Sequence, residues 1–155
     1  MDLKFRTKAA CRIARIDPQR FNEDVASGEY HCAPETRAGV SRVFDEADIA
    51  GLLVYRHLMD VFGDRGFSKK TAAMYACGVI RSIREMKRYP DQTRADFPVD
   101  GFNDTPMLCR PEEGAYFGAH QHRALAATVC FDLSNILKAV RHGMSEEAKI
   151  LGEED

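Results

Sequence analysis

The dipeptide Asp17-Pro18 and the glycine at Gly28 bracket a short stretch, and this punctuation limits the fold of the N-terminal third more than any other feature. Asp is a strong N-cap because its carboxylate accepts a backbone N–H of the first turn. Pro18 then takes the first helical position, where a missing N–H is harmless. Gly28 is a natural stop after a helix that runs to about Ala26. A second helix is expected just upstream, from Lys8 to Ala14. Two short helices with so tight a connection form a helix-turn-helix candidate. The next segment, Glu29 to Phe44, contains Pro34 and Gly39 between the short runs Glu29–Cys32 and Ser41–Phe44. That pattern predicts two short strands joined by a loop, a wing.

Asp45 is expected to cap the following helix, with Asp48 three residues on in its first turn. Ile49, Leu52, Leu53, Leu58, Met59 and Phe62 fall largely at helical spacing, and Gly63–Gly66 ends the run. Ser68 caps another helix, lined on one face by Ala72, Ala76, Val79, Ile80, Ile83 and Met86 and ended by Pro90. Arg81, Arg84, Lys87 and Arg88 crowd its last turns, where cations suit the helix dipole. The mismatched Lys69-Lys70 pair at its start reads as a solvated end, with a phosphate contact as the alternative.

Residues 89–114 are rich in Pro, Gly, Asp and Asn and read as a linker or long loop. Residues 124–131 read as a buried strand, which needs a partner. Met107–Arg110, Tyr116–Gly118 or a second copy of the chain are the candidates. Asp132 or Ser134 would cap a short last helix, Asn135 to His142. Residues 115–145 thus form a small α+β element for dimerisation or partner binding, and 146–155 an acidic, frayed tail.

Several residues lie in a recognisable order. They are Ala10-Cys11-Arg12, Ile16-Asp17, Phe21, Gly28-Glu29-Tyr30, Pro34, Gly39-x-x-Arg42-x-Phe44, Asp48-Ile49 and Leu52. This order resembles the DNA-binding domain of the MerR family and the related excisionase-type winged helices, over residues 5–88. The resemblance implies a winged helix-turn-helix that binds double-stranded DNA. Arg15 stands where that family has a turn glycine, and Asn22-Glu23-Asp24-Val25 replaces its Arg-Tyr-Tyr-Glu. Pro90 falls where its long dimerisation helix would continue. The expected fold is therefore mainly α with a β-wing, plus a small α+β C-terminal appendage.

Charge agrees with such a surface. Residues 1–89 carry 16 Lys/Arg and 12 Asp/Glu, a balance of +4. Residues 90–155 carry 6 and 12, a balance of −6, and the whole chain is −2. A basic first half suits phosphates, and an acidic second half faces away from DNA or toward a partner. The candidate contacts are Gln19, Arg20 and Asn22 at the start of the recognition helix. Their side chains match adenine and guanine edges in a major groove. Lys8 and Arg12 would reach the backbone from the first helix. Arg37 and Arg42 on the wing would reach a phosphate or the minor groove, with a bridge from Arg42 to Asp48 as the alternative. Glu23 and Asp24 oppose phosphate binding if they face DNA. Phe21, Tyr30 and Phe44 read as core.

Five cysteines (Cys11, Cys32, Cys77, Cys109 and Cys130), odd in number and with no C-x-x-C, suit reduced thiols in a cytoplasm better than a disulfide framework. His31-Cys32, Cys109 and His120-x-His122 match no zinc spacing, so neither metal nor cofactor is expected. No nucleotide loop or nucleophile-base order supports an enzyme. No apolar run approaches the roughly 20 residues of a membrane span, and the N-terminus lacks a signal-peptide core. The resulting expectation is a cytoplasmic, nucleoid-associated transcriptional regulator, homodimeric through its C-terminal region. The alternatives are a protein-interaction adaptor or anti-repressor on the same scaffold, or an architectural, excisionase-like DNA binder.

Overall fold

The computed structural model describes residues 3–36, 38–63, 68–98, 107–109 and 128–151. Among them are five helices and two small antiparallel sheets. Strand β1 (Phe5–Arg6) leads directly into α1 (Thr7–Ala14), and α2 (Pro18–Ala26) follows after three residues. The Asp17 carboxylate accepts from the backbone N–H of Arg20 at 2.9 Å, the cap that the Asp-Pro pair predicted.

The wing segment departs from expectation. Glu29–Cys32 forms turns rather than a strand, and β2 (Val43–Phe44) pairs instead with β1, placing Phe44 opposite Phe5. Two contacts, one local and one distant in sequence, explain why no 29–32 strand forms. The Tyr30 N–H donates to the Asp24 carbonyl at 3.1 Å, folding the chain back onto the end of α2. Cys32 is then disulfide-bonded to Cys77 of the fourth helix, with Cα atoms 5.7 Å apart. The segment is thus held on a helix and not beside Ser41–Phe44. The same bond corrects the expectation that all the cysteines are free thiols; Cys11 and Cys130 are free.

Helices α3 (Glu46–Phe62) and α4 (Lys69–Glu85) make the most extensive helix pair. Gly51 permits the close approach: a Cβ there would collide with the Ile80 side chain. Gly78 does the same for the ring of Phe97. Asp45 caps α3 in a reciprocal box with Asp48, each carboxylate accepting the other's backbone N–H at 2.9 and 3.0 Å. Arg84 of α4 reaches both carboxylates, at 2.7 Å to Asp48 and 3.4 Å to Asp45. Burial pushes the Asp48 carboxyl up to about 6, against an ordinary 3.8. The charged form of Asp48 is therefore disfavoured on folding, and its contribution to stability declines as pH rises from about 4 to 6. Asp48→Asn keeps an acceptor for the cap without that charge. Its stability relative to the native chain is expected to improve across this window and stay level above it, as measured by urea unfolding at a series of pH values. A relative loss across the window would contradict the assignment.

The C-terminal elements are built into the same core rather than appended to it. Strand β3 (Arg94–Pro98), inside the stretch read as linker, is the centre of a three-stranded sheet. It pairs with β4 (Met107–Cys109) on one side and β5 (Thr128–Asp132) on the other, so the β5 segment finds its partner in β3. Phe97 and Phe131 pack edge to face at 5.5 Å, and Tyr75 of α4 meets Phe97 at 5.3 Å. Helix α5 (Leu133–Leu151) is longer than expected and extends through most of the segment read as a frayed tail. Leu133, Leu137, Val140 and Met144 recur at helical spacing and join one buried cluster with residues of α1, α3 and α4. Among the described residues, no helix is long and apolar enough to cross a membrane. Tyr116–Gly118, His120, His122 and the start of the 124–131 segment lie outside the described residues.

Candidate nucleic-acid interface

Helix α2 is fixed from behind by aromatic packing. Phe21 is fully buried and meets Tyr30 at 5.3 Å and Phe44 at 5.9 Å, both edge to face. Tyr30 in turn meets Tyr55 of α3 at 5.1 Å. Phe21, Tyr30 and Phe44 are core, as expected from the sequence, and Tyr55 joins them. Asp24 also points inward. It accepts from the Tyr55 hydroxyl at 2.8 Å and from the Lys69 ammonium at 2.7 Å. The hydrogen bond to Asp24 holds the Lys69 ammonium above the ordinary lysine range. Lys69 is therefore committed to α2, and its position at the start of α4 has a structural reason.

With Phe21 and Asp24 turned inward, the outward face of α2 carries Gln19, Asn22, Glu23 and Ala26, with Arg20 exposed beside them. Gln19 donates to Glu23 at 3.2 Å. Of the two acids that could repel DNA, only Glu23 stands on this face. The face is thus polar, mixed in charge and rigidly backed.

The other candidate contacts are arranged differently. Lys8 is exposed on α1. Arg12 donates through Nε to Glu147 of α5 at 2.9 Å, and its Nη2 also meets that carboxylate. Glu147 is buried, so Arg12 ties α5 to α1. Arg42 is half-buried and donates through Nε to the Pro34 carbonyl at 3.1 Å, closing the loop on itself. It makes no bridge to Asp48, which Arg84 takes. Arg37 lies outside the described residues.

The sequence marks Arg15 only as a departure from the family's turn glycine. It adopts the left-handed conformation, with φ of 57° and ψ of 44°, and ends α1 with its N–H directed to the Arg12 and Cys11 carbonyls. A side chain in this region is disfavoured, which is why a glycine is natural at such a turn. The departure Arg15-for-Gly was visible in the sequence; its strain was not. Arg15→Gly is expected to raise stability by about 0.5–1 kcal/mol, the relief of left-handed strain less the extra unfolded-state entropy of glycine. A decrease in the urea midpoint would show that the arginine side chain contributes more than its backbone strain removes.

No model of a known protein family matches the chain, and no curated protein sequence is similar to it.

Proposed function

We propose that the chain is a winged helix-turn-helix DNA-binding protein, with α1 and α2 as the motif, α2 as its recognition helix and residues 29–44 as a wing-like loop. The observation that carries this reading is the outward face of α2. Gln19, Arg20 and Asn22 are all exposed near its N-terminal end, on a helix whose back is locked by Phe21 and Asp24. A helix presents that end to base edges in the major groove, where Arg matches guanine and Gln or Asn matches adenine. Glu23 on the same face suits a cytosine amino group. Lys8 supplies a backbone contact. We read the protein as a cytoplasmic, nucleoid-associated transcriptional regulator rather than an enzyme. A second copy of the chain would supply the second half-site.

A protein-interaction reading is favoured by two exposed valines, Val40 and Val43, on the loop and at β2. An apolar contact of that kind would persist at high salt, whereas phosphate contacts would not. Selection from a pool of random duplex DNA, with the native chain and an Arg20→Ala variant side by side, tests the DNA reading. Enrichment of one motif by the native chain and its loss in the variant is the expected result. No enrichment by the native chain would favour the protein-interaction reading.

A further inference from the structure

The Cys32–Cys77 disulfide lines a cleft of about 420 Å³ together with His31, Arg81, Arg84, Arg88 and Glu85. Arg84 is engaged by Asp45 and Asp48, but Arg81 and Arg88 are exposed and carry no ion pair among the described residues. The cleft therefore holds a disulfide in a surplus of positive charge, with Glu85 as the opposing group. The other buried cysteine has no such setting: Cys11 is enclosed in the core, where burial and then the Asp17 charge push its thiol up to about 11.

We propose that this cleft is a reaction site for an anionic low-molecular-weight thiol, of the glutathione class, which opens the Cys32–Cys77 disulfide and frees the loop after α2. Cys32 is the more exposed of the two residues, half-buried where Cys77 is buried. The incoming thiolate attacks Cys32 Sγ; the bond between the two protein sulfurs breaks, and its electron pair leaves on Cys77. A second thiol molecule, as its thiolate, attacks the sulfur of the bound small thiol. Cys32 leaves as a thiolate, and the small thiol departs as its own disulfide. The protein has gained two electrons, both thiolates can take protons from water, and two small thiols have been oxidised to one disulfide. The arginines act twice: they attract the anionic thiol, and they stabilise the Cys77 thiolate as leaving group. With the bond open, the contacts left to the loop include Arg42 to Pro34, the Tyr30 backbone bond to Asp24 and the packing of Tyr30 and Ala33. Disulfides in a cytoplasm are characteristically transient and redox-sensing, so the site also accounts for this bond in the compartment proposed above.

The test measures the rate of disulfide loss in the oxidised full chain, by alkylation and mass spectrometry. Glutathione is compared with neutral 2-mercaptoethanol, and the native chain with Arg81→Ala/Arg88→Ala and with Glu85→Gln. The expected result is about a tenfold slowing of the glutathione reaction in the double arginine variant. The 2-mercaptoethanol rate should change much less, and Glu85→Gln should speed glutathione alone. Amide hydrogen exchange over residues 29–42 should accelerate after reduction. Equal effects on both thiols, or no reaction with glutathione in the folded chain, would overturn the site. Unchanged exchange after reduction would overturn the release of the loop. Neither readout uses DNA, so failure of the DNA-binding reading would show separately.

Discussion

Asp24→Ala is expected to destabilise the fold by about 3 kcal/mol, because it strands two partners of a buried carboxylate at once. The Tyr55 hydroxyl loses its acceptor at 2.8 Å and the Lys69 ammonium its closest anion at 2.7 Å. Burial and the hydrogen bond to Asp24 both hold the Tyr55 hydroxyl in its neutral, donating form. Among the described residues Lys69 retains only Glu29, at 3.7 Å. The midpoint of thermal unfolding should fall by about 6–12 °C for a chain of this size. Asp24→Asn keeps an acceptor for Tyr55 and loses only the charge, so its loss should be about a third as large. Calorimetry of the two variants beside the native chain decides the matter. A shift below about 2 °C for the alanine variant would mean that Asp24 does not lock α2 to α3 and α4.

Arg20→Ala is expected to do the reverse, leaving stability within about 0.5 kcal/mol while weakening DNA binding about tenfold to a hundredfold. The Arg20 side chain is exposed, and its backbone N–H keeps the bond to Asp17 in either variant. If Arg20 reads a guanine edge, the selected motif should relax at one position. If it holds a phosphate, affinity should fall evenly across sequences and the salt slope should drop by about one. Unchanged affinity in a folded variant would remove Arg20 from the interface.

Capping residues made much of the helical frame legible. Asp17, Asp45 and Ser68 each accept the backbone N–H their positions implied, because a cap is a local contact between neighbours in sequence. The 3.6-residue spacing of α4 likewise announced its buried face, while in α3 Ile49, Leu52 and Leu58 are buried but Leu53, Met59 and Phe62 are half-buried. What escaped was non-local. The Cys32–Cys77 bond spans 45 residues, and nothing in its spacing distinguishes it from two free thiols. Strand β3 was hidden because Arg94 to Pro98 is short, ends in a proline and follows a run of turn residues; its burial depends on Phe97 meeting Tyr75 and Phe131. Asp24 looked like an acid on a polar helix, and only Tyr55 and Lys69, brought from other helices, turn it inward. For the same reason Arg12 was read as a DNA-backbone contact, and Arg42 as a DNA contact or a bridge to Asp48. Their partners, Glu147 and the Pro34 carbonyl, are contacts that a sequence pattern does not encode.

The central claim is that the exposed face of α2 binds DNA through charge and base contacts. It is tested most directly by titrating the native chain into a labelled random duplex pool across a series of salt concentrations, with Arg20→Ala alongside. The expected result is affinity that falls steeply and log-linearly with salt, with a weaker curve for the variant. A folded native chain that fails to bind even at the lowest salt, or that binds with no dependence on salt, would contradict it.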